Sequence, residues 1–369
     1  MTRGSLRFGV WGAVAITCVC GLVRSSWAGD GGGTNRSVSF SGYGEMHYNA
    51  PSNGTAELDF HRLVLGFAAS LSDAIGFHAE LDFEHAFTEP EMEFAYLDFL
   101  YRDELSFRTG LVLMPVGPLN EFHEPPLFYS VERPYVQKDI VPTTWQEPGA
   151  GIVGTALDAG VSYRAYAVGG LFAAQFGSGG IRGGRQRGAE ASAEDIAVVG
   201  RVEYAPSLGV SLAASGYAGG AAQGVSALGD ASVAIAEVDA RLEAGGVEAS
   251  AMYAAVFIGG ADSISAFTGE VVGERLVGFT GELAFHVLRI LGTRTERDLV
   301  AFARVELLDT QDRVPDGLLR DPSLDRRVVT MGASFLPVPS VALKADVELW
   351  ESDDGAAWEQ FNLGVGFMY

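Results

Sequence analysis

The stretch Ile75–Glu84, IGFHAELDFE, alternates apolar and polar side chains with a period of two. Isoleucine, two phenylalanines, alanine and leucine occupy its odd-numbered positions, whereas histidine and three acidic residues occupy even-numbered ones. Successive side chains of a β-strand point to opposite faces of the sheet. The pattern therefore predicts a strand with one apolar face and one charged face.

The same alternation recurs along the chain and predicts about sixteen strands. They lie near residues 38–48, 57–70, 75–85, 91–101, 105–114, 150–157, 161–173, 195–204, 208–219, 232–244, 247–258, 276–287, 298–309, 326–337, 340–351 and 357–369. Most are about ten to thirteen residues long, which suits tilted membrane-spanning strands better than soluble strands of about five or six. No convincing helical repeat intervenes, so we expect an all-β antiparallel sheet rather than parallel βαβ units.

The connections between these strands alternate in length. Those after most even-numbered strands are short, and many after odd-numbered strands are long: 49–56, 115–149, 174–194, 220–231, 259–275 and 310–325. Residues 288–297 are an exception to the short set. Short turns at one end and long loops at the other are typical of a bacterial outer-membrane barrel with short periplasmic turns and long extracellular loops. An even number of strands also allows the sheet to close.

Two other interpretations of these patterns are less consistent with the sequence. A soluble secreted β-sandwich would not explain the long strands or the unequal connections. The segment Ala205–Gly229 has no charged residue and is long enough for a membrane helix, but it contains six glycines and Pro206. Two strands and a glycine-rich loop explain this segment better. The terminal strand, which ends in Tyr369, resembles the aromatic C-terminal motif of outer-membrane proteins.

The first 28 residues predict a secretory signal peptide. Arg3 and Arg7 precede the apolar run Phe8–Val23, and small residues flank a cleavage site after Ala28. An uncleaved anchor is the alternative. Cleavage would leave residues 29–369 as the mature barrel without cysteine, because both cysteines lie within the first 28 residues. Disulfide scaffolds, thiol enzymes and cysteine-ligated zinc are therefore not expected.

Charge argues against nucleic-acid binding. The chain has 47 acidic and 25 basic residues and a formal net charge of −22, whereas binding to phosphate backbones requires clustered positive charge. In a channel, the acidic excess favours cations, although arginines inside the barrel could reverse this preference locally. We therefore expect no nucleic-acid partner.

Residues 115–149, PVGPLNEFHEPPLFYSVERPYVQKDIVPTTWQEPG, contain seven of the fourteen prolines. A loop of this length is usually functional, and prolines help it to hold one shape. The segment Gly110–Gly154, with its runs LMPVG, NEFHEPP, ERP and PTTWQEPGAGIVG, resembles the phosphate-selective porin O/P family. The resemblance implies a sixteen-stranded, trimeric outer-membrane channel in which 115–149 folds inward as a constriction loop. Phosphate itself is not predicted, because this chain has only two lysines, Lys138 and Lys344.

Charged residues that alternate with the apolar belt are the candidates to line a pore. The predicted pore-lining residues are His78, Glu80, Asp82, Glu84, Arg108, Arg164, Arg201, Glu203, Glu282, Arg304, Glu306, Lys344, Asp346 and Glu348. Opposed acidic and basic walls would create a transverse field across the channel. The alternative is a solvated inner wall in which charges of opposite sign simply pair.

Two further sets come from the long connections. In the constriction loop we expect Asn120, Glu121, His123, Glu124, Glu132, Arg133 and Glu147 to contact solute or to anchor the loop to the barrel wall. The glycine-rich run SGGIRGGRQRG places Arg182, Arg185 and Arg187 in an outer loop. This basic cluster is predicted to steer anions or to bind lipopolysaccharide phosphates, unless it is only a mobile polar loop.

The sequence thus predicts an outer-membrane porin that passes small hydrophilic or charged solutes by passive diffusion. Its expected partners are outer-membrane lipid, lipopolysaccharide and two further copies of itself. A non-conducting structural or adhesive barrel, plugged by its long loop, is the alternative. We expect no cofactor, no metal site and no enzymatic activity, since none of the six histidines lies in a recognisable nucleophile motif. His78, Glu80, Asp82 and Glu84 are spaced too widely along one strand to form a metal site alone.

Overall fold

The computed structural model describes residues 37–293 and 295–369, and within them the chain forms a closed antiparallel barrel. The predicted signal peptide, residues 1–28, lies outside the described residues. The strands are β1 Val38–Pro51, β2 Glu57–Ser72, β3 Ile75–Glu84, β4 Glu89–Arg102, β5 Leu105–Leu113, β6 Gln146–Ala156, β7 Val161–Gly169, β8 Ile196–Ser207, β9 Val210–Gly220, β10 Ser232–Ala244, β11 Val247–Gly259, β12 Arg275–His286, β13 Asp298–Arg313, β14 Asp325–Val338, β15 Val341–Ser352 and β16 Ala357–Met368.

Each strand pairs with its neighbours in sequence, and β1 closes the barrel by pairing with β16 from Tyr43–Met368 to Pro51–Gln360. Strand lengths run from 9 residues in β5 to 16 in β2, enough to cross a bilayer when tilted. Closure leaves no unpaired edge, which is what a sheet needs in lipid. The prediction of sixteen antiparallel strands is confirmed.

Strand boundaries differ from the predicted ones by up to four residues, at the start of β6, the end of β7 and the end of β13, which continues to Arg313 instead of 309. β6 begins at Gln146 rather than near residue 150, and β7 ends at Gly169 rather than 173. Because of Pro148, the first residues of β6 were predicted to belong to the preceding loop. In the barrel this proline pairs with Leu111 of β5, whereas β7 pairs only from Gly149 onward. A proline is tolerated here because one side of the strand is still unpaired.

The segment 205–229 contains the end of β8, all of β9 and part of the connection to β10, so the interpretation as strands is confirmed. Two short α-helices lie in the connections, α1 Ala261–Thr268 and α2 Val287–Ile290. In residues 37–293 and 295–369 we find no helix with the length and apolar character needed to cross a membrane.

The two faces of the barrel differ as the alternation predicts. In β15, Leu343 is 44% exposed on the outside, whereas Lys344 and Asp346 are 5% and 3% exposed on the inside. β13 repeats the pattern, with Val305 exposed and Arg304 buried. The outer surface is therefore apolar, and the inner surface carries charges that are largely covered.

An apolar core fills one side of the barrel interior. It joins the connection between β5 and β6, which we call L3 (residues 114–145), to the inner faces of β5 and β7–β15 and to the loops after β7, β9 and β11. Its members include Met114, Val136, Ile140, Trp145, Leu171, Ile181, Tyr217, Met252, Leu276 and Leu308. Burying a side chain of this size stabilises the fold by about 1.5–3 kcal/mol. The core packs L3 against β7–β15 and leaves the interior beside β1–β4 polar.

Candidate functional site

L3 is closed at its base by Asn120, which is 1% exposed. Its side-chain amide donates hydrogen bonds to the carbonyl oxygens of Met114 (2.8 Å) and Trp145 (2.9 Å), at the two ends of L3. The Asn120 side-chain oxygen Oδ1 accepts a third bond from the Trp145 backbone N–H at 3.1 Å. One buried side chain thus joins both ends of the loop.

The tip of L3 is bound to the inner wall of β13 and β15. The Arg304 guanidinium donates to Ser130 Oγ at 2.6 Å, and Lys344 Nζ donates to the Ser130 carbonyl at 2.8 Å. Asp346 accepts from the backbone N–H of Val131 at 2.6 Å. Charged groups on the wall therefore satisfy backbone groups that an irregular loop would otherwise leave unpaired.

Two more carboxylates on the same wall hold the next turn of L3. Glu306 accepts from the Val136 N–H at 3.0 Å, and Glu348 accepts from the Tyr135 hydroxyl at 2.9 Å. Both carboxylates are 0% exposed. Five of the predicted pore-lining residues, from Arg304 to Glu348, thus face inward but lie under L3, where they position the loop instead of facing open water.

Other predicted lining residues pair with opposite charges on the barrel wall or on L3. Arg201 contacts Asp239 at 2.6 Å and is 5% exposed, and Arg108 forms two hydrogen bonds with Asp98. Glu282 lies 3.4 Å from Arg304. For this set, the interpretation as paired wall charges describes the geometry better than a free pore lining.

Further members of the predicted pore-lining and constriction-loop sets make the following contacts. Glu203 accepts from Ser211, Arg164 pairs with Glu121 of L3 at 3.0 Å, His78 stacks on Tyr96 at a centroid separation of 5.2 Å, and Glu80 and Glu124 are half-buried. Glu147 lies on β6, not in the loop, because β6 begins at Gln146. It is 0% exposed and accepts from the Trp145 indole N–H and the Gln186 backbone N–H.

On the opposite side of the interior, β1–β4 surround Arg62 with carboxylates. Its guanidinium lies 3.2 Å from Glu45, 3.3 Å from Asp82 and 2.5 Å from Glu84. Arg62 is 3% exposed, and Glu45 and Asp82 are no more than 4% exposed. One cation therefore balances several carboxylates, and this wall is acidic overall.

L3 reaches this acidic wall through His123 and Glu132. His123 Nε2 lies 2.7 Å from Glu93 of β4 and 2.7 Å from the Tyr43 hydroxyl. Burial would raise the pKa of the Glu132 carboxyl, but hydrogen bonds from His47 and Asn49 hold that pKa at about 2. Glu132 is therefore charged at physiological pH.

The basic cluster lies in the predicted outer connection, but its side chains turn inward. It belongs to the connection between β7 and β8, which we call L4 (residues 170–195). Arg182 and Arg185 donate to the Thr143 carbonyl at 2.8 and 2.7 Å, and Arg187 pairs with Glu91 of β4. The arginines thus turn inward onto L3 and the wall because these carbonyls and this carboxylate offer them partners. Anion steering or lipopolysaccharide binding by these half-buried arginines stays a prediction.

A cavity of about 170 Å³ lies between the acidic wall, L3 and L4. From β1–β4 it is lined by Glu45, His47, His61, Arg62, Asp82, Glu84, Glu91 and Glu93, from L3 by Glu132, Arg133, Lys138, Thr143 and Thr144, from β6 by Gln146 and from L4 by Arg182 and Arg187. The wall contributes five carboxylates and one guanidinium. The two loops contribute four cations and one carboxylate, so the field runs across the cavity.

Four residues of this lining were not among the predicted site residues: Glu45, His47, Arg62 and Glu93. The first two and Glu93 alternate within predicted strands and could have been chosen from the pattern. Arg62 could not, because it is out of phase with the residues before it. A bulge in β2 between the Glu45–Arg62 and His47–Asp59 pairs shifts the alternation by one residue.

No family model matches this chain. The chain is 34% identical over 356 residues to an uncharacterized protein of Aquifex aeolicus (strain VF5), a match that covers 90% of this chain and 80% of that protein.

Solved structures of outer-membrane proteins have the same fold. The outer membrane channel DcaP of Acinetobacter baumannii matches with a TM-score of 0.61 and 14% identity, covering 90% of this chain and 97% of that one. The anion-selective porin of Comamonas acidovorans matches at 0.56 and 10% (90% and 100% covered). OmpT of Vibrio cholerae in its trimer form matches at 0.59 and 11% (90% and 99% covered). The predicted outer-membrane barrel fold is confirmed.

Proposed function

The chain belongs to one family with the uncharacterized Aquifex aeolicus protein, and from the fold that it shares with outer-membrane porins we propose that it is a passive diffusion channel for small hydrophilic or charged solutes. The observation that carries this proposal is the charged cavity between the acidic wall and the two inward-facing loops. Selectivity in such a channel arises from its radius and from the charges that line it.

The charge arrangement favours hydrated and dipolar solutes. Carboxylates on β1–β4 face cations on L3 and L4 across the cavity, so water and zwitterions are oriented while apolar solutes gain nothing. Because the two sides nearly balance, the net charge of the whole chain is a poor guide to ion preference here. We propose that the groups at the cavity, rather than the acidic excess of −22, decide it.

The cellular setting follows from the same proposal. The apolar outer face, with exposed Leu343, Phe361 and Leu363, would contact outer-membrane lipid and lipopolysaccharide. A homotrimer is proposed on the sequence resemblance and on the trimer form of the Vibrio cholerae protein. We propose neither a catalytic activity nor a cofactor for this barrel.

Membership in the phosphate-selective porin O/P family stays a prediction. The cavity does offer phosphate several cations, among them Arg133, Lys138 and Arg182, but the carboxylates of β1–β4 lie opposite. We therefore propose that mixed small solutes pass, and added phosphate is tested as a blocker in the recordings.

The test is a planar bilayer recording with refolded mature protein, residues 29–369. Stepwise currents in groups of three would support a trimeric porin, and the reversal potential under a salt gradient would give its ion preference. Block of an anion current by added phosphate would support the phosphate-selective assignment. A folded, heat-modifiable barrel that passes no current would overturn the proposal in favour of a barrel plugged by L3.

A charge reversal at Lys138 should change ion preference with little effect on folding. Lys138 is exposed on L3 and lines the cavity. Replacing it with glutamate makes the loop side less positive, so the cation-to-anion permeability ratio should rise severalfold. Reversal potentials measure this ratio. Arg327→Glu is the matched control, because Arg327 is exposed on β14 and does not line the cavity. An equal shift in both variants would place ion selection elsewhere.

A further inference from the structure

Asp59, His61 and His85 form a cluster of metal-binding type at the end of the barrel from which the long loops leave. His61 Nδ1 lies 3.2 Å and His85 Nδ1 lies 2.8 Å from the same oxygen, Asp59 Oδ2. One donor atom from each of the three residues lies within 4.8 Å of the other two. Two imidazoles and one carboxylate thus converge on one point.

Two irregularities of the backbone create this convergence. The bulge in β2, opposite Met46, turns His61 to the inner side together with its neighbour Arg62. His85 begins the turn after β3, where His85, Ala86 and Phe87 have φ values of 48°, 53° and 79°. Left-handed backbone at three successive residues that are not glycine is unfavourable, and such strain is concentrated at functional sites. Here it aims the His85 ring at Asp59.

We propose that these three residues bind a divalent transition-metal ion of the Zn²⁺ type. Imidazole nitrogen and carboxylate oxygen are ligands that such ions prefer, and three protein ligands with a water in the fourth position form an open site. Ligands at Zn²⁺ distances of about 2.0–2.1 Å in tetrahedral geometry lie about 3.3 Å from each other. The two nitrogen–oxygen separations at Asp59, 3.2 and 2.8 Å, are close to this value.

The neighbourhood supports an ion in this place. His47 stacks on His61 at a centroid distance of 4.6 Å, but its two ring nitrogens already contact Glu45 and Glu132. His47 therefore packs against a ligand instead of serving as a fourth one. The positive charge of Arg62 next to the site is offset by its own carboxylate partners.

The site is open to solvent and adjoins the cavity. The side chains of Asp59, His61 and His85 are 25%, 28% and 45% exposed, which allows an ion to enter and leave. His61 also lines the cavity. A bound ion would add two positive charges at the edge of the acidic wall. This inference goes beyond the proposed channel, and the ion binds whether or not the barrel conducts.

The test is a Zn²⁺ titration of the untagged, refolded barrel in detergent by isothermal titration calorimetry. We expect one Zn²⁺ per chain, and a decrease in affinity of roughly tenfold or more in His61→Ala and His85→Ala. His78→Ala is the matched control, because His78 faces inward on β3 but belongs to a different contact group, with Tyr96. Equal affinity in all four proteins, or no binding to the wild type, would overturn the proposal.

A second measurement covers the case in which a variant does not refold. Co²⁺ added to the wild-type barrel should give visible absorption bands of a four- or five-coordinate ion, which Zn²⁺ should displace. A purely octahedral spectrum, as of Co²⁺ in water, would contradict binding through the two imidazoles. Because both measurements are made in detergent, they are independent of the bilayer recordings.

Discussion

Replacing Arg62 with glutamine is expected to make the channel more cation-selective and to lower the temperature at which the barrel unfolds in detergent. Arg62 is the cation among Glu45, Asp82 and Glu84, and three of these four side chains are nearly fully buried. Removing one partner from a buried ion cluster typically costs about 3–5 kcal/mol, because the remaining charges lose their compensation. Some of this cost will be relieved where the carboxylates reach the water of the cavity.

The shift in selectivity and the loss of stability have separate measurements. Reversal potential under a salt gradient gives the first, and the loss of the heat-modifiable band on unboiled gels gives the second. Arg102→Gln is the matched control, since Arg102 is a 60%-exposed arginine near a short turn with a distant partner, Glu104. Adding Asp82→Asn to Arg62→Gln should restore part of the stability. Unchanged behaviour of Arg62→Gln would mean that the acidic wall is already neutralised in another way.

The fold could be predicted from the sequence because it depends on a local period. Strands such as β3 expose one face to lipid and one to the interior, so burial is visible in every second residue. The predicted start of β6 was wrong because Pro148 fits into the strand only where β7 offers no pairing partner. That absence is a property of the folded barrel. No local pattern carries that information.

The site was harder to predict because it depends on which inward-facing charges the loops cover. Glu306 and Asp82 look alike in sequence, since each alternates with apolar residues on a strand. Yet Glu306 is hydrogen-bonded to the backbone of L3, whereas Asp82 lines the cavity. The difference comes from the apolar residues of L3 and L4, which pack against β7–β15 and leave β1–β4 open. Periodicity predicts which face of the sheet a side chain occupies, but not whether a loop covers it.

Replacing Asn120 with alanine is expected to give a larger and noisier single-channel conductance. The substitution removes three hydrogen bonds at the base of L3, to Met114 O, Trp145 O and Trp145 N. At about 1 kcal/mol each, their loss weakens the closed arrangement of L3 by about 3 kcal/mol, which is about 100-fold in an equilibrium constant. The carbonyl groups left behind are buried, so water should enter the base of the loop.

The barrel itself should survive this change, because the strands do not pair through Asn120 and the apolar residues of L3 still pack inside. We therefore expect an almost unchanged unfolding temperature together with the altered conductance. Asn53→Ala is the matched control, since Asn53 lies exposed in the connection between β1 and β2. If Asn120→Ala conducts like the wild type, the contacts of L3 with β13 and β15 must be sufficient to hold it. Adding Asp346→Asn, which weakens the bond to Val131, would then be needed to release the loop and raise the current.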